Sequence, residues 1–179
     1  MSAEPFFAAL ASRFVREADR LNALDAAVGD GDHGATMLRG LTKAVAAPDG
    51  ARAKAFMRAS GGASGTLFGL ILLELEAHLD TGASLQAGLA RACERICDLG
   101  EVSPGDKSMV DALAPAIAAL DTDDLEAAIE AARRGRDGTT DLVARRGRAQ
   151  YVEYGGRGHL DPGAVSVVLF LETLQEVAP

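Results

Sequence analysis

The chain is 179 residues long, with 26 acidic against 18 basic residues, a formal charge of −8 and only 4% aromatic residues. This length suits one domain that buries a core without disulfides or a structural metal, and its 48% hydrophobic content is that of a globular chain. The acidic balance speaks against nucleic acid and anionic membrane surfaces as partners, since both need a basic footprint.

With few aromatics and no tryptophan, alanine and leucine are left to fill the core, and both favour helices over strands. Phe7, Leu10, Phe14, Leu21 and Leu24 recur at helical spacing, opposite Arg13, Arg16, Glu17 and Arg20. That first helix is expected to end between Asp25 and Gly29. A second covers about 34–46 and stops at Pro48-Asp49-Gly50, and a third covers 51–60. The glycine run 61–65 breaks the chain before a densely apolar, buried helix over 67–79. Ser84 is placed to cap a helix reaching about Leu99. Residues 109–120 form the next, with Pro115 either kinking it or marking its first turn. Asp123 is the expected cap of a helix through Arg134. A further helix is expected from Thr139 or Thr140 to Arg146. A polar loop over 147–163 leads to an apolar helix over 164–177. About eight helices and no strand make an all-α domain.

No apolar run reaches the roughly 20 residues that span a bilayer. No basic stretch precedes the apolar residues near Met1, so the start is not read as a signal peptide. Cys93 and Cys97 fall on one helix face and read as two half-buried thiols in a reducing compartment.

Four loops hold the residue types that bind ions and phosphates. The first, from Asp25 to Gly34, places Asp25, Asp30 and Asp32 within eight residues. Converging carboxylates repel one another unless a cation sits among them, and magnesium prefers such oxygen ligands. The competing reading is a solvated acidic turn in which Asp32 caps the next helix. The second is Gly61-Gly62-Ala63-Ser64-Gly65-Thr66. Glycine amides at a helix start form an anion site, to which Ser64 and Thr66 would add hydroxyls. It is equally readable as a helix break with a serine cap. The third, Pro104-Gly105-Asp106-Lys107-Ser108-Met109, is either a plain turn or a source of a lysine point charge for phosphate. The fourth joins Arg145, Arg146 and Arg148 to a glycine-rich stretch, as a surface basic patch or as a wall facing an anionic ligand. No P-loop, EF-hand loop, nucleophile elbow or zinc-ligand spacing of histidines is present.

Taken together, Gly29-Asp30-Gly31-Asp32-His33-Gly34, the 61–69 glycine segment, Pro104 to Met109, and Arg146 to Tyr151 followed by Gly158 to Gly163 resemble one family. It is the nucleotide-binding L subunit of bacterial dihydroxyacetone kinase, a domain that also forms the C-terminal half of single-chain ATP-dependent dihydroxyacetone kinases. The likeness runs from about Leu21 to the C-terminus. It implies that 1–179 form a single nucleotide-binding domain, a barrel of about eight antiparallel helices. It further implies two magnesium ions on Asp25, Asp30 and Asp32, bridging the phosphates of ADP or ATP. His33, Gly34, Ala35 and Thr36 would line the nucleotide site, and Ala63 and Ser64 would meet its phosphate end. Gly100 and Met109 would border the adenine, while Arg148, Asp161, Pro162 and Gly163 would close over it.

The implied activity is cytoplasmic phosphoryl transfer to dihydroxyacetone held on a separate K subunit, with a phosphotransferase M subunit recharging resident ADP. A homodimer is left open. Two alternatives stay beside it: the L subunit of a split ATP-dependent triose or tetrulose kinase, and a nucleotide-sensing regulator without transfer activity. Neither His33 nor His159 is expected to act as a sugar nucleophile.

Overall fold

In the computed structural model, which describes residues 2–120 and 124–177, eight α-helices and several short 3₁₀ turns account for the regular structure, with no strand among the described residues. The helices are α1 Glu4–Ala26, α2 His33–Val45, α3 Arg52–Ser60, α4 Gly62–Thr81, α5 Leu85–Gly100, α6 Val110–Ala119, α7 Leu125–Gly138 and α8 Pro162–Val177. Each packs on the next, and α8 closes the ring between α7 and α1. The starts of α2, α4, α6 and α8 gather at one end, around a single cavity.

The sequence logic is visible in the caps. Ser84 accepts the Ala87 N–H at 3.3 Å, as expected for the start of α5. Asp124 caps α7 through the Ala127 N–H, while the expected cap Asp123 lies outside the described residues. Pro115 falls inside α6 rather than in its first turn. It cannot donate to the Asp111 carbonyl, and Gly135 of α7 approaches that carbonyl so closely that a Cβ would lie 2.0 Å from it.

Two expectations are corrected. The glycine run interrupts the chain only at Gly61 and Gly62, both left-handed, and α4 begins at Gly62. The helix expected over 139–146 is only a 3₁₀ turn, Thr139–Asp141, after which Leu142 is extended. Its backbone groups are engaged elsewhere. The Lys107 ammonium donates to the Thr139 carbonyl, Gly158 N–H to the Thr140 carbonyl at 2.8 Å, and Ala144 N–H to the Gly155 carbonyl at 2.9 Å. Residues 139–161 therefore form a strap across the end of the barrel.

All six phenylalanines join the aliphatic residues in the core. Phe14, Phe170, Phe68 and His33 follow one another at ring-centroid distances of 5.9, 5.8 and 5.4 Å, so the core runs up to the strap-covered end. Helix α8 is buried over 12 of its 16 residues, which is why its sequence is apolar all round. At the seam between α7 and α1, Glu172 of α8 pairs with Arg13 at 2.6 Å and Arg133 at 2.7 Å. Cys93 and Cys97 are free, and burial beside Cys97 pushes the Cys93 thiol up to about 12, which keeps it protonated at neutral pH. No helix is long and apolar enough to cross a membrane among the described residues.

Candidate functional site

A cavity of about 490 Å³ opens at the strap-covered end. One wall is acidic. Ligand-capable atoms of Asp25, Asp30 and Asp32 lie within 4.8 Å of one another. Asp32 occupies the cap position of α2, yet its side chain makes no capping bond. That task falls to Asp25, whose Oδ2 accepts the Asp32 and His33 N–H groups at 2.9 and 3.1 Å. The second Asp25 oxygen faces Gly29, where a Cβ would lie only 2.5 Å from it. The acidic loop thus spends one carboxylate oxygen on its own backbone and leaves the others converging. Arg148 of the strap pairs with Asp30, placing a cation of the chain's own at this cluster.

The opposite wall is the start of α4. This helix has no side-chain cap, and Gly61, Gly62, Ala63 and Ser64 line the cavity. First-turn amides without an internal partner present positive charge to an anion there. Ser64 is half-buried in that wall, whereas the Thr66 hydroxyl donates to the Gly62 carbonyl within the helix and so does not serve the site. Arg39 supports this turn, donating to the carbonyls of Ala59 and Ser60 at 3.0 and 2.9 Å and to Thr36 Oγ1 at 3.3 Å. Leu67, Phe68, Ile96, Val102 and Met109 supply an apolar side, a surface fit for a flat heterocycle.

Most of the residues expected at the site come together. Asp25, Asp30, Asp32, His33, Thr36, Ala63, Ser64, Gly100, Met109, Arg148, Asp161, Pro162 and Gly163 all line the cavity. Gly34 and Ala35 do not. A Cβ at Gly34 would lie 2.2 Å from the Ala18 carbonyl oxygen, so this glycine lets α2 lie against α1. The Ala35 N–H donates to Asn22 Oδ1 at 3.1 Å on the same side. Of the two readings left open for the 104–109 loop, Lys107 does not serve as a free phosphate charge, since its ammonium binds the Thr139 and His159 carbonyls.

The electrostatics follow from burial. His33 is lowered to about 4 by burial, which outweighs the nearby Asp25 and Asp32 charges, so its ring is neutral and shares a hydrogen bond with Ser166 Oγ at 2.8 Å. Asp161 is raised to about 7 by burial, against the Ala164 N–H it accepts at 2.7 Å and the Lys107 charge. Asp161 and Pro162 start α8 as cap and first residue, the pairing that helix starts favour.

The sequence match of residues 27–176 to the DAK2 domain decides the family. The chain belongs to the DAK2 domain family. A relative from Listeria innocua, named PEP-dependent dihydroxyacetone kinase 1, ADP-binding subunit DhaL, is 35% identical over 86% of this chain and 84% of its own length. The L-erythrulose 1-kinase of Mycolicibacterium smegmatis is 39% identical over 87% of this chain but only 32% of its own length. Among solved structures, the dihydroxyacetone kinase of C. freundii in complex with AMP-PNP and Mg²⁺ superimposes with a TM-score of 0.76 at 25% identity, covering 98% of this chain and 34% of that one. This DAK2 chain therefore spans most of the subunit-type relative and about a third of the L-erythrulose 1-kinase and of the C. freundii kinase chain.

The DAK2 site holds residues that pattern reading missed. Arg39 follows Thr36 by one helical turn on the cavity-facing side of α2, a spacing visible in the sequence. The apolar wall from Leu67, Phe68, Ile96 and Val102 could not be told from ordinary core.

Proposed function

We propose that this chain is the nucleotide-holding subunit of a two-part ketose kinase. It would pass the terminal phosphoryl group of cation-bound ATP to dihydroxyacetone carried by a separate K subunit, leaving ADP that a phosphotransferase M subunit recharges to ATP in place. The observation that carries the reading is the single cavity in which three converging aspartates face the uncapped start of α4. The donor set fits magnesium, because every ligand is a carboxylate oxygen and Asp32 is released from capping. Gly29 supplies the room that the Asp25 carboxylate needs. We assign two magnesium ions to Asp25, Asp30 and Asp32, where bound metal would neutralise phosphate charge during transfer.

The chain's own residues do the positioning. The α4 amides and Ser64 hold the phosphate end, as Gly100, Met109 and the apolar wall hold the base. Arg148 is placed to leave Asp30 for a phosphate oxygen once a cation takes over that carboxylate. Neutral His33, locked to Ser166 and tilted at 54° against Phe68, shapes the wall and carries no proton to the acceptor. The similarity to a relative named as an ADP-binding subunit, covered over 84% of its length, supports the two-part arrangement.

A split ATP-dependent tetrulose kinase is the second reading, favoured by the similarity to the L-erythrulose 1-kinase. The test is reconstitution with a K-type subunit and ketose. Transfer from phosphorylated M subunit through bound ADP supports the first reading, and turnover with free ATP alone supports the second. Failure of both with intact partners overturns the kinase assignment.

A further inference from the structure

We propose that Lys107 is a positioning residue that pins both ends of the 139–161 strap to the floor of the site and thereby sets how long a nucleotide is held. The inference rests on the nucleotide-binding reading above. Lys107 is 4% exposed and sits in the left-handed region at φ 62°, where a long side chain is uncommon. Its partners are backbone carbonyls rather than a carboxylate. The ammonium donates to Thr139, where the strap leaves α7, and to His159 at 2.5 Å, where the strap approaches α8. A buried charge is tolerated only with such partners. Asp161, Asp111 and Asp141 offset its burial from farther away.

The strap between those two anchors carries Arg146, Gly147, Arg148 and Ala149 into the cavity wall. Other ties join the middle of the strap to the body: Arg148 pairs with Asp30, Arg146 Nε donates to the Glu101 carbonyl at 2.9 Å, and Arg145 N–H donates to the Asp106 carbonyl at 3.3 Å. Thr139 is a junction in its own right. Its hydroxyl accepts the Asp161 N–H at 3.0 Å, so the same residue joins the end of α7, the strap and the start of α8. Without the ammonium, the Thr139 and His159 carbonyls lose their partner and the strap loses the group that joins both of its ends to the floor. The backbone that carries Arg148 is then less firmly held over Asp30.

The test uses the full-length protein and two variants. Lys107→Met keeps the stem and removes the donors, while Lys107→Gly suits the left-handed backbone and removes the whole side chain. In nucleotide-free protein, tryptic cleavage after the strap residues Arg145, Arg146, Arg148 and Arg157 should quicken about tenfold in both variants, the equivalent of one charge-assisted hydrogen bond. Cleavage within α1 to α5 should not change. With magnesium present, the dissociation rate of a fluorescent ADP should rise about tenfold by the same reasoning. In an Arg148→Ala background the same substitution should add less than about twofold, because Lys107 acts through the strap. Wild-type strap cleavage in both variants overturns the proposal. So does an equal increment in both backgrounds, which would make Lys107 a direct ligand or a general stabiliser. Quickened strap cleavage in a protein that binds no nucleotide would sustain the pin and refute the nucleotide reading.

Discussion

Replacing Gly29 by alanine tests the metal cluster without touching a carboxylate. The added carbon would lie 2.5 Å from Asp25 Oδ1 and 3.2 Å from the Asp25 carbonyl oxygen. Ordinary contact begins at about 3.5 Å, so the carboxylate must retreat by about 1 Å. It cannot do so freely, because its other oxygen accepts the Asp32 and His33 N–H groups at 2.9 and 3.1 Å. Moving one oxygen off the cluster strains both bonds at the start of α2. Disturbing a support of this kind lowers metal affinity by about 10- to 100-fold, or ~1.4–2.8 kcal/mol. The Gly29 backbone lies outside the left-handed region, so alanine itself is tolerated there and the fold should persist. Calorimetric titration of magnesium-dependent ADP binding reads the loss, with a thermal melt as control. Unchanged affinity in a folded Gly29→Ala protein would refute the placement of Asp25 as a ligand.

Three further outcomes are expected. Arg148→Ala should shorten ADP residence about tenfold, as befits one lost charge-assisted contact, while leaving the melting midpoint in place; equal retention would remove the proposed clamp. Gly135→Ala would put a carbon 2.0 Å from the Asp111 carbonyl and force α6 and α7 apart, costing about 1–3 kcal/mol in a thermal melt; an unchanged midpoint would count against that close approach. Asp161 is raised to about 7 from 3.8, so the folded state binds the extra proton and stability falls as pH rises from about 4 to 7. Asp161→Asn should abolish this loss, worth at most about 4 kcal/mol for a half-buried group, and a parallel pH dependence of urea unfolding in both proteins would contradict it.

The helices were legible because their signals are local: apolar spacing in α1, the Pro48-Asp49-Gly50 stop after α2, and Ser84 before α5. The strap was not, because Thr139, Thr140 and Ala144 bond to Lys107, Gly158 and Gly155, partners that no local pattern announces. The same limit governs the site. The acidic loop and the α4 start are each contiguous in sequence and could be read as units. Whether Asp32 capped its helix depended on Asp25 taking that role from the previous helix. Gly34 was placed at the site by the family resemblance, but α1 determines what it touches.

The central claim is that the aspartate cluster and the α4 start together hold a magnesium nucleotide. The most direct measurement is to denature the purified, unsupplemented protein and quantify the nucleotide and metal released. The account predicts ADP with magnesium in near-stoichiometric amount, or an empty site that takes up ATP reversibly with magnesium if the chain serves a split ATP-dependent kinase. A protein that releases no nucleotide and binds neither ADP nor ATP with magnesium would contradict it.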